Sequence, residues 1–479
     1  MTLEHLVSKG ALHVAGRRID DGPRSVIRDP WSGEELASVV LADAARAEEA
    51  VAASVRAFDR ARKQASFERK AVLARVARQI EAQKDTFADL IAREAGKPLA
   101  LARTEVARAV STFELGAEEA TRMNGEALAL DLAESARGYS GLWKRVPAGP
   151  VIALAPFNFP LNLVAHKLSP ALACGCSVVL KPPPQAPLSA LLLAQCIREA
   201  GAPEDAVQVV PCEIPVAEAM VRDDRFATLS FTGSAGVGWH LKSIAGKKRV
   251  LLELGGNAAA IVHEDAALDR AAERVVAGAF GYAGQVCIKV QRLYVHAPIA
   301  KTFVESVLER ASKVQPLSPL DPAALCGPMI DVANAERVQQ WVEDAERGGA
   351  RILCGGKRDG NRYWPTVIEV DGDGRGLKVV DEEVFGPVLT VHRYETWTEG
   401  LAMADRTRYG LQAGIFTDSQ ARIAEAFDAL HVGGLIVNDG PGFRMDAMPY
   451  GGVRDSGLGR EGVRFAIEEM TERKLLVVR

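Results

Sequence analysis

Three residues in this sequence are of types that could carry covalent chemistry on a carbonyl: Cys287, Glu253 and Asn158. They fall in the stretches GYAGQVCIKVQR (281–292), LLELGGN (251–257) and APFNFP (155–160), and FTGSAGVG (231–238) is a fourth of the same kind. Each reads as a strand end running into a Gly- or Pro-rich turn, where open α/β folds bind ligands. Cys287 follows Gly281 and Gly284 and precedes the strand-like QRLYVH, on a polar connection rather than inside an apolar run. A thiol there becomes a nucleophile only if partly exposed and helped to ionise; otherwise it is a structural loop cysteine. Glu253 interrupts the apolar run VLLELGG. Burial raises a carboxyl pKa and suits it to general-base work, although a satisfied ion pair would look the same in sequence. Asn158, between Phe157, Phe159 and Pro160, is an amide donor for an oxyanion hole or a cap in the core.

These groups need elements to hold them. Residues 43–122 read as helices, the first opening with Asp43 as N-cap and another stopping at Gly96-Lys97-Pro98. Arg108, on the last of them, reads most simply as a surface arginine paired with Glu105 one turn earlier. From about 150, short apolar runs alternate with helical segments: VIALA, SVVL, VQVV, TLSF and RVLLEL. That alternation predicts a mostly parallel sheet with both faces covered, in a doubly wound α/β class. A second αβ series runs from near 258 to about 440. The terminal RKLLVVR reads as an exposed strand, expected to join another subunit's sheet.

Composition narrows the options. The chain has 479 residues with a formal net charge of −4, which gives no bulk attraction to nucleic acid or to a membrane. The N-terminal stretch lacks the apolar core of a signal peptide, and no run approaches the ~18 apolar residues of a membrane span. Seven scattered cysteines do not form a disulfide framework; Cys174 and Cys176 read as buried small hydrophobes. A reduced, cytoplasmic protein is expected.

Together with LKPPPQAPLS (180–189), EEVFGPV (382–388) and PYGGVRDSGLGREG (449–462), these stretches resemble the aldehyde dehydrogenase superfamily in order and spacing, over essentially the whole length. The signature is FTGSxxVG rather than GxGxxG, and the family binds its dinucleotide in an altered Rossmann manner. The resemblance implies two doubly wound Rossmann-like domains plus a β oligomerisation element. The cofactor domain would comprise 1–125 and 147–253, the catalytic domain 254–442, and the oligomerisation element 126–146 with 463–479. It implies Cys287 as nucleophile, with the Asn158 amide and the Cys287 N–H holding the oxyanion. Glu253 would activate water to hydrolyse the thioester left after hydride loss, releasing free acid rather than passing it to coenzyme A. Lys167 and Glu461 match positions assigned to proton relay.

For the cofactor, the resemblance implies Lys181 at the adenosine ribose or its phosphate, Gly233 and Ser234 at the pyrophosphate, and Glu383 and Phe385 at the nicotinamide ribose and ring. Pro156, Phe157, Gly238 and Leu254 complete that set. Where NAD-selective relatives place a glutamate, this chain has Pro184, so NADP is expected to be accepted and preferred over NAD. Arg108 and Arg444 match arginines of relatives that take small anionic aldehydes, and two guanidinium forks would bind a carboxylate. Val286 stands where relatives that oxidise glyceraldehyde 3-phosphate carry an arginine, which favours a monocarboxylate such as succinate semialdehyde. A lactaldehyde or glyceraldehyde-3-phosphate type substrate, a coenzyme A-acylating enzyme and a non-catalytic lens-crystallin-like protein are the alternatives. No metal is expected, and a homodimer or homotetramer is.

Overall fold

The computed structural model describes residues 12–479; residues 1–11, with most of the stretch read above for a signal peptide, lie outside the described residues. Six strands form the first sheet, in the order Gly457–Leu458, Arg249–Glu253, Thr228–Thr232, Val151–Leu154, Val178–Lys181, Val207–Val209. All neighbours are parallel except the Gly457–Leu458 pair with Arg249–Glu253. The strands read as near-continuous apolar runs because both faces are covered. Val151 and Ala153 pack into one core cluster, and Ile152 and Leu154 into the other, as the two-residue period of a strand demands.

A seven-stranded sheet follows, in the order Arg351–Cys354, Thr366–Glu369, Val388–Tyr394, Arg292–His296, Ala259–Val262, Gln412–Phe416, Gly434–Val437. Only the Arg351–Cys354 pairing is antiparallel. The chain is therefore an α/β protein of two doubly wound sheets, as expected. A third, antiparallel sheet joins the Gly125–Ala129 and Ser140–Pro147 hairpin to the C-terminal strand Thr471–Val478.

Local signals were accurate where a cap fixed them. The Asp43 carboxylate accepts from the Arg46 N–H at the head of the Ala44–Ala61 helix, and Gly96 takes a left-handed φ of 66° at the end of Lys84–Ala95. Two short hairpins within residues 12–40 precede the helices; their polar strands gave no clean alternation to read. Among the described residues no helix is long and apolar enough to cross a membrane.

Arg108 requires a correction. Its guanidinium pairs with Asp446 at 2.7 Å rather than with Glu105. Glu105 is instead buried against Lys97, and its other oxygen accepts the Leu161 and Asn162 N–H groups at 2.9 and 3.0 Å. A carboxylate facing two orphan donors of a helix start has stronger claims than a surface arginine.

Candidate active site

The carboxyl ends of the middle strands of the first sheet open into a cavity of about 490 Å³. It lies where the winding reverses: Val151–Leu154 leads the chain toward Val178–Lys181, and Thr228–Thr232 returns on the other side. Such a reversal leaves a crevice between the two departing loops. Cys287, Glu253 and Asn158 all reach its wall, although they come from separate parts of the chain.

Cys287 is half-buried, and its Sγ lies 3.1 Å from the Tyr450 hydroxyl. Burial pushes the thiol up to about 11, and the hydrogen bond from Tyr450 acts in the opposite direction. Just before it, Tyr282 and Ala283 take left-handed φ values of 53° and 52°. Backbone of that kind persists only where its surroundings over-determine it; here Gln285 supplies an anchor, its side chain accepting the Ile330 N–H at 2.8 Å. The Asn158 side chain gives one N–H to the Gln285 carbonyl at 3.1 Å. An amide has two N–H groups, so the second remains for the cavity.

Neither carboxylate oxygen of buried Glu253 has a hydrogen-bond partner. Burial first, and the Glu461 charge second, push its pKa well above the ordinary carboxylate range. Glu461 shows the opposite balance: burial alone would raise it, but Lys167 at 3.3 Å and Arg444 at 3.1 Å hold it down to about 2. Lys167 is fully buried beneath the cavity rather than on its wall, donating to Thr232 Oγ1 at 2.7 Å and Ser230 Oγ at 3.2 Å.

Arg444 reaches the wall. Its guanidinium lies 3.7 Å from the centre of the Tyr450 ring and its Nε–H has no partner. Arg108 does not reach the wall. Its fork is closed on Asp446, which also accepts from Asn162 Nδ2 at 3.2 Å and lies 2.8 Å from His166 Nε2.

The other half of the cavity can accept a dinucleotide. Pro156, Phe157, Gly233, Ser234 and Leu254 line it from the strand ends, and Glu383 and Phe385 face them. Ser234 begins the Ala235–Ile244 helix without a side-chain cap, and a Cβ at Gly236 would meet no heavy atom within 4 Å. Uncapped N–H groups facing open space are what a diphosphate requires. Glu383 accepts the Gly256 N–H at 3.1 Å, and burial lifts it to about 7. The Phe385 ring stands edge-on to Phe157 at 5.9 Å. Gly238 is set back from the wall, where a Cβ would come within 2.3 Å of Leu254 Cδ2; it lets the helix settle on the sheet. Half-buried Lys181 ends the neighbouring strand and donates to the Pro182 carbonyl at 3.3 Å, with Pro184 exposed beyond it.

Tyr450 and Asp446 escaped the sequence reading. Tyr450 sits inside a quoted stretch and Asp446 two residues after Arg444, yet their partners are distant in sequence and only the fold reveals them.

The comparisons agree with this geometry. The profile described as "Aldehyde dehydrogenase family" matches residues 20–476. A 3-sulfolactaldehyde dehydrogenase of Priestia aryabhattai is 43% identical over 86% of this chain and 86% of its own length. Aldehyde dehydrogenase 21 of Physcomitrella patens, solved in complex with the reaction product succinate, superposes with a TM-score of 0.96 at 38% identity, covering 99% of this chain and 98% of that one. Glyceraldehyde-3-phosphate dehydrogenase GapN of Methanocaldococcus jannaschii, complexed with NADP, gives 0.92 at 36% identity, over 96% and 100% of the two chains. The chain belongs to the aldehyde dehydrogenase family. It is an oxidoreductase that acts on the aldehyde group of small substrates with NAD(P).

Proposed function

We propose that this enzyme oxidises a small aldehyde carrying one anionic group, of the succinate semialdehyde kind, to its free carboxylic acid with Cys287 as the nucleophile. The observation that carries the substrate class is Arg444: a buried guanidinium on the cavity wall with an unpartnered Nε–H, near Cys287 and Glu253. A planar donor fork in a site shielded from water selects carboxylate or sulfonate over a neutral group. Relatives named for sulfolactaldehyde and for a succinate complex support an anionic substrate. Arg108 would act from behind, by holding Asp446 and the loop that carries Arg444.

In this reading the Cys287 thiol first gives its proton to solvent in the cavity, with the Tyr450 hydroxyl donating to the thiolate. The sulfur then adds to the aldehyde carbon, and the free Asn158 N–H with the Cys287 backbone N–H stabilises the oxygen as it becomes negative. NADP or NAD, when bound, supplies the acceptor for the hydride. Glu253 then takes a proton from water, the oxygen adds to the thioester carbon, and the Cys287 thiolate leaves. A carboxylate with a raised pKa is the stronger base for that step. Lys167 and Glu461 would relay protons beneath the floor. NADP is the proposed preference: among the described residues Lys181 has no ion pair, and no carboxylate stands at position 184 to repel a 2′-phosphate. The seven free thiols support a reduced, cytoplasmic protein.

The test is kcat/KM, with both cofactors, for succinate semialdehyde, sulfolactaldehyde, lactaldehyde and glyceraldehyde 3-phosphate in wild type and Arg444→Gln. A preference for the monoanions that falls at least about tenfold in the variant, chiefly through KM, is expected, as for loss of a charge-assisted hydrogen bond. Equal use of neutral and anionic aldehydes by the wild type would overturn the substrate class. A strong NAD preference would overturn the cofactor. A rate increase on adding coenzyme A would overturn hydrolysis.

A further inference from the structure

A second set of chemistry-bearing residues lies at the opposite end of the seven-stranded sheet from Cys287. Strands Ala259–Val262, Arg292–His296 and Val388–Tyr394 run parallel and in register, so the residues at their carboxyl ends, His263, His296 and Tyr394, form a row. Inter-strand spacing is roughly 4.8 Å, and the His263 and His296 rings stack at 4.2 Å with 18° between their planes. Glu264 follows at once. One ligand atom from each of His263, Glu264 and His296 lies within 4.8 Å of the others.

One nitrogen of each imidazole has a hydrogen-bond partner. The Tyr394 hydroxyl lies 3.2 Å from the Val262 carbonyl and 2.9 Å from His263 Nδ1; when it donates to the carbonyl it accepts from Nδ1, and His263 Nε2 is then the nitrogen with the lone pair. His296 Nε2 lies 3.2 Å from the Glu395 carbonyl, an acceptor only, so it carries a hydrogen. A ring bonded in this way, when neutral, keeps a lone pair on its other nitrogen. His263 Nε2 and His296 Nδ1 are both buried without a hydrogen-bond partner, in residues only 3% and 9% exposed. The Glu264 carboxylate approaches His296 Nδ1 to 3.6 Å. Two buried, unpartnered imidazole nitrogens beside a carboxylate suit a cation, although the ring of Trp397, whose Nε1–H is also buried without a partner, packs against His263 at 5.4 Å. Arg422, the neighbouring cation, is paired with Asp265 at 3.1 Å. The arrangement in which each imidazole donates its far N–H to a carbonyl or hydroxyl is the one that orients histidines toward metals.

We propose that His263, His296 and Glu264 bind one divalent transition-metal ion of the zinc, cobalt or nickel kind, at a site separate from the aldehyde chemistry. Two imidazoles and one carboxylate suit these ions, with water completing the shell. Stacked rings send their lone pairs along nearly parallel lines, so binding requires a turn about the soft terminal side-chain torsions. Half-exposed Glu264 provides the entry. The sequence reading expected no metal; nothing in the local pattern there differs from a strand end, and only the register brings the nitrogens together.

The experiment is cobalt(II) binding, by equilibrium dialysis and visible absorption, to wild type, Cys287→Ser, His263→Gln, His296→Gln and Glu264→Gln. The Cys287→Ser protein separates this site from thiolate binding in the cavity. One equivalent of cobalt is expected in wild type and Cys287→Ser, with a rise in thermal midpoint by linkage. Affinity should fall at least ~100-fold in either histidine variant, since even outer-shell partners are worth 10- to 100-fold. Retained NADP-linked aldehyde oxidation shows that these variants fold. If a histidine variant is misfolded, Glu264→Gln decides the matter, because its side chain lies outside the core: at least about tenfold weaker binding supports the site and unchanged binding overturns it. The proposal is also overturned if wild type holds no cobalt, or if binding disappears in Cys287→Ser and persists in the histidine variants.

Discussion

Cys287 meets its substrate as a thiol, since burial outweighs the one hydrogen bond it receives and pushes it up to about 11. The Tyr450 hydroxyl at 3.1 Å does most to ease its ionisation, with a smaller pull from the Arg444 charge. Tyr450→Phe should therefore slow iodoacetamide alkylation of Cys287 at fixed pH by about tenfold, the worth of one hydrogen bond to a charged acceptor; an unchanged rate would remove Tyr450 from the chemistry. Glu253 shares the sign. Both groups act deprotonated and both are raised, so kcat/KM, through Cys287, and kcat, through Glu253 in deacylation, should each climb with pH through neutrality, and a plateau of both already reached below pH 7 would contradict the assignment. Glu253→Gln should keep a single-turnover burst of reduced cofactor while steady-state turnover falls ~10²- to 10⁴-fold; loss of the burst would move Glu253 to the acylation step. Cys287, Glu253 and Asn158 were legible because each breaks the pattern of its own neighbourhood. Tyr450 was not: an aromatic in a Gly-rich turn announces nothing until the fold sets it against a residue far earlier in the chain.

At the scale of elements, the buried acids are what turn helices toward the site. The Asn162–Cys174 helix carries His166 and Lys167, and its first N–H groups end on Glu105, whose other oxygen faces buried Lys97. Lys97 also sits 3.5 Å from the centre of the Phe159 ring, next to Asn158. Glu105→Ala would leave both the Lys97 cation and the helix start unpartnered. Breaking a buried pair from one side costs about 3–5 kcal/mol, so its denaturation midpoint should fall sharply. The double variant Lys97→Met with Glu105→Leu should regain part of that loss, because two apolar groups leave no stranded charge. If Glu105→Ala unfolds at the wild-type midpoint, the carboxylate does not organise this helix. The strands and helices themselves were readable from apolar period and caps, since those signals are local. The pairing of Arg108 with Asp446 was not, because an ion pair on one helix looks adequate until burial elsewhere claims its partner.

At the scale of the whole molecule, one strand is unfinished. Thr471–Val478 pairs along one edge with Ser140–Pro147 and is the outermost strand of its sheet. Leu475, Leu476, Val477 and Val478 are 55%, 57%, 46% and 52% exposed. Successive residues of a strand point to opposite faces, so this three-stranded sheet bares apolar side chains on both. An open edge with apolar faces is an association site unless charge or proline blunts it; here the charges are confined to Glu472, Arg473 and Lys474, and 475–478 carry neither charge nor proline. The sequence expectation of an exposed terminal strand matches what is seen, and the proposed homodimer or homotetramer rests on that edge. Leu475→Lys with Leu476→Lys places one charge on each face without touching the cavity. Light scattering after size exclusion should report a smaller assembly than wild type, with NAD(P)-linked turnover per chain changed only as far as the cavity depends on assembly. An unchanged mass would mean that subunits meet elsewhere, and a wild type that is already monomeric would leave the edge to some other cover.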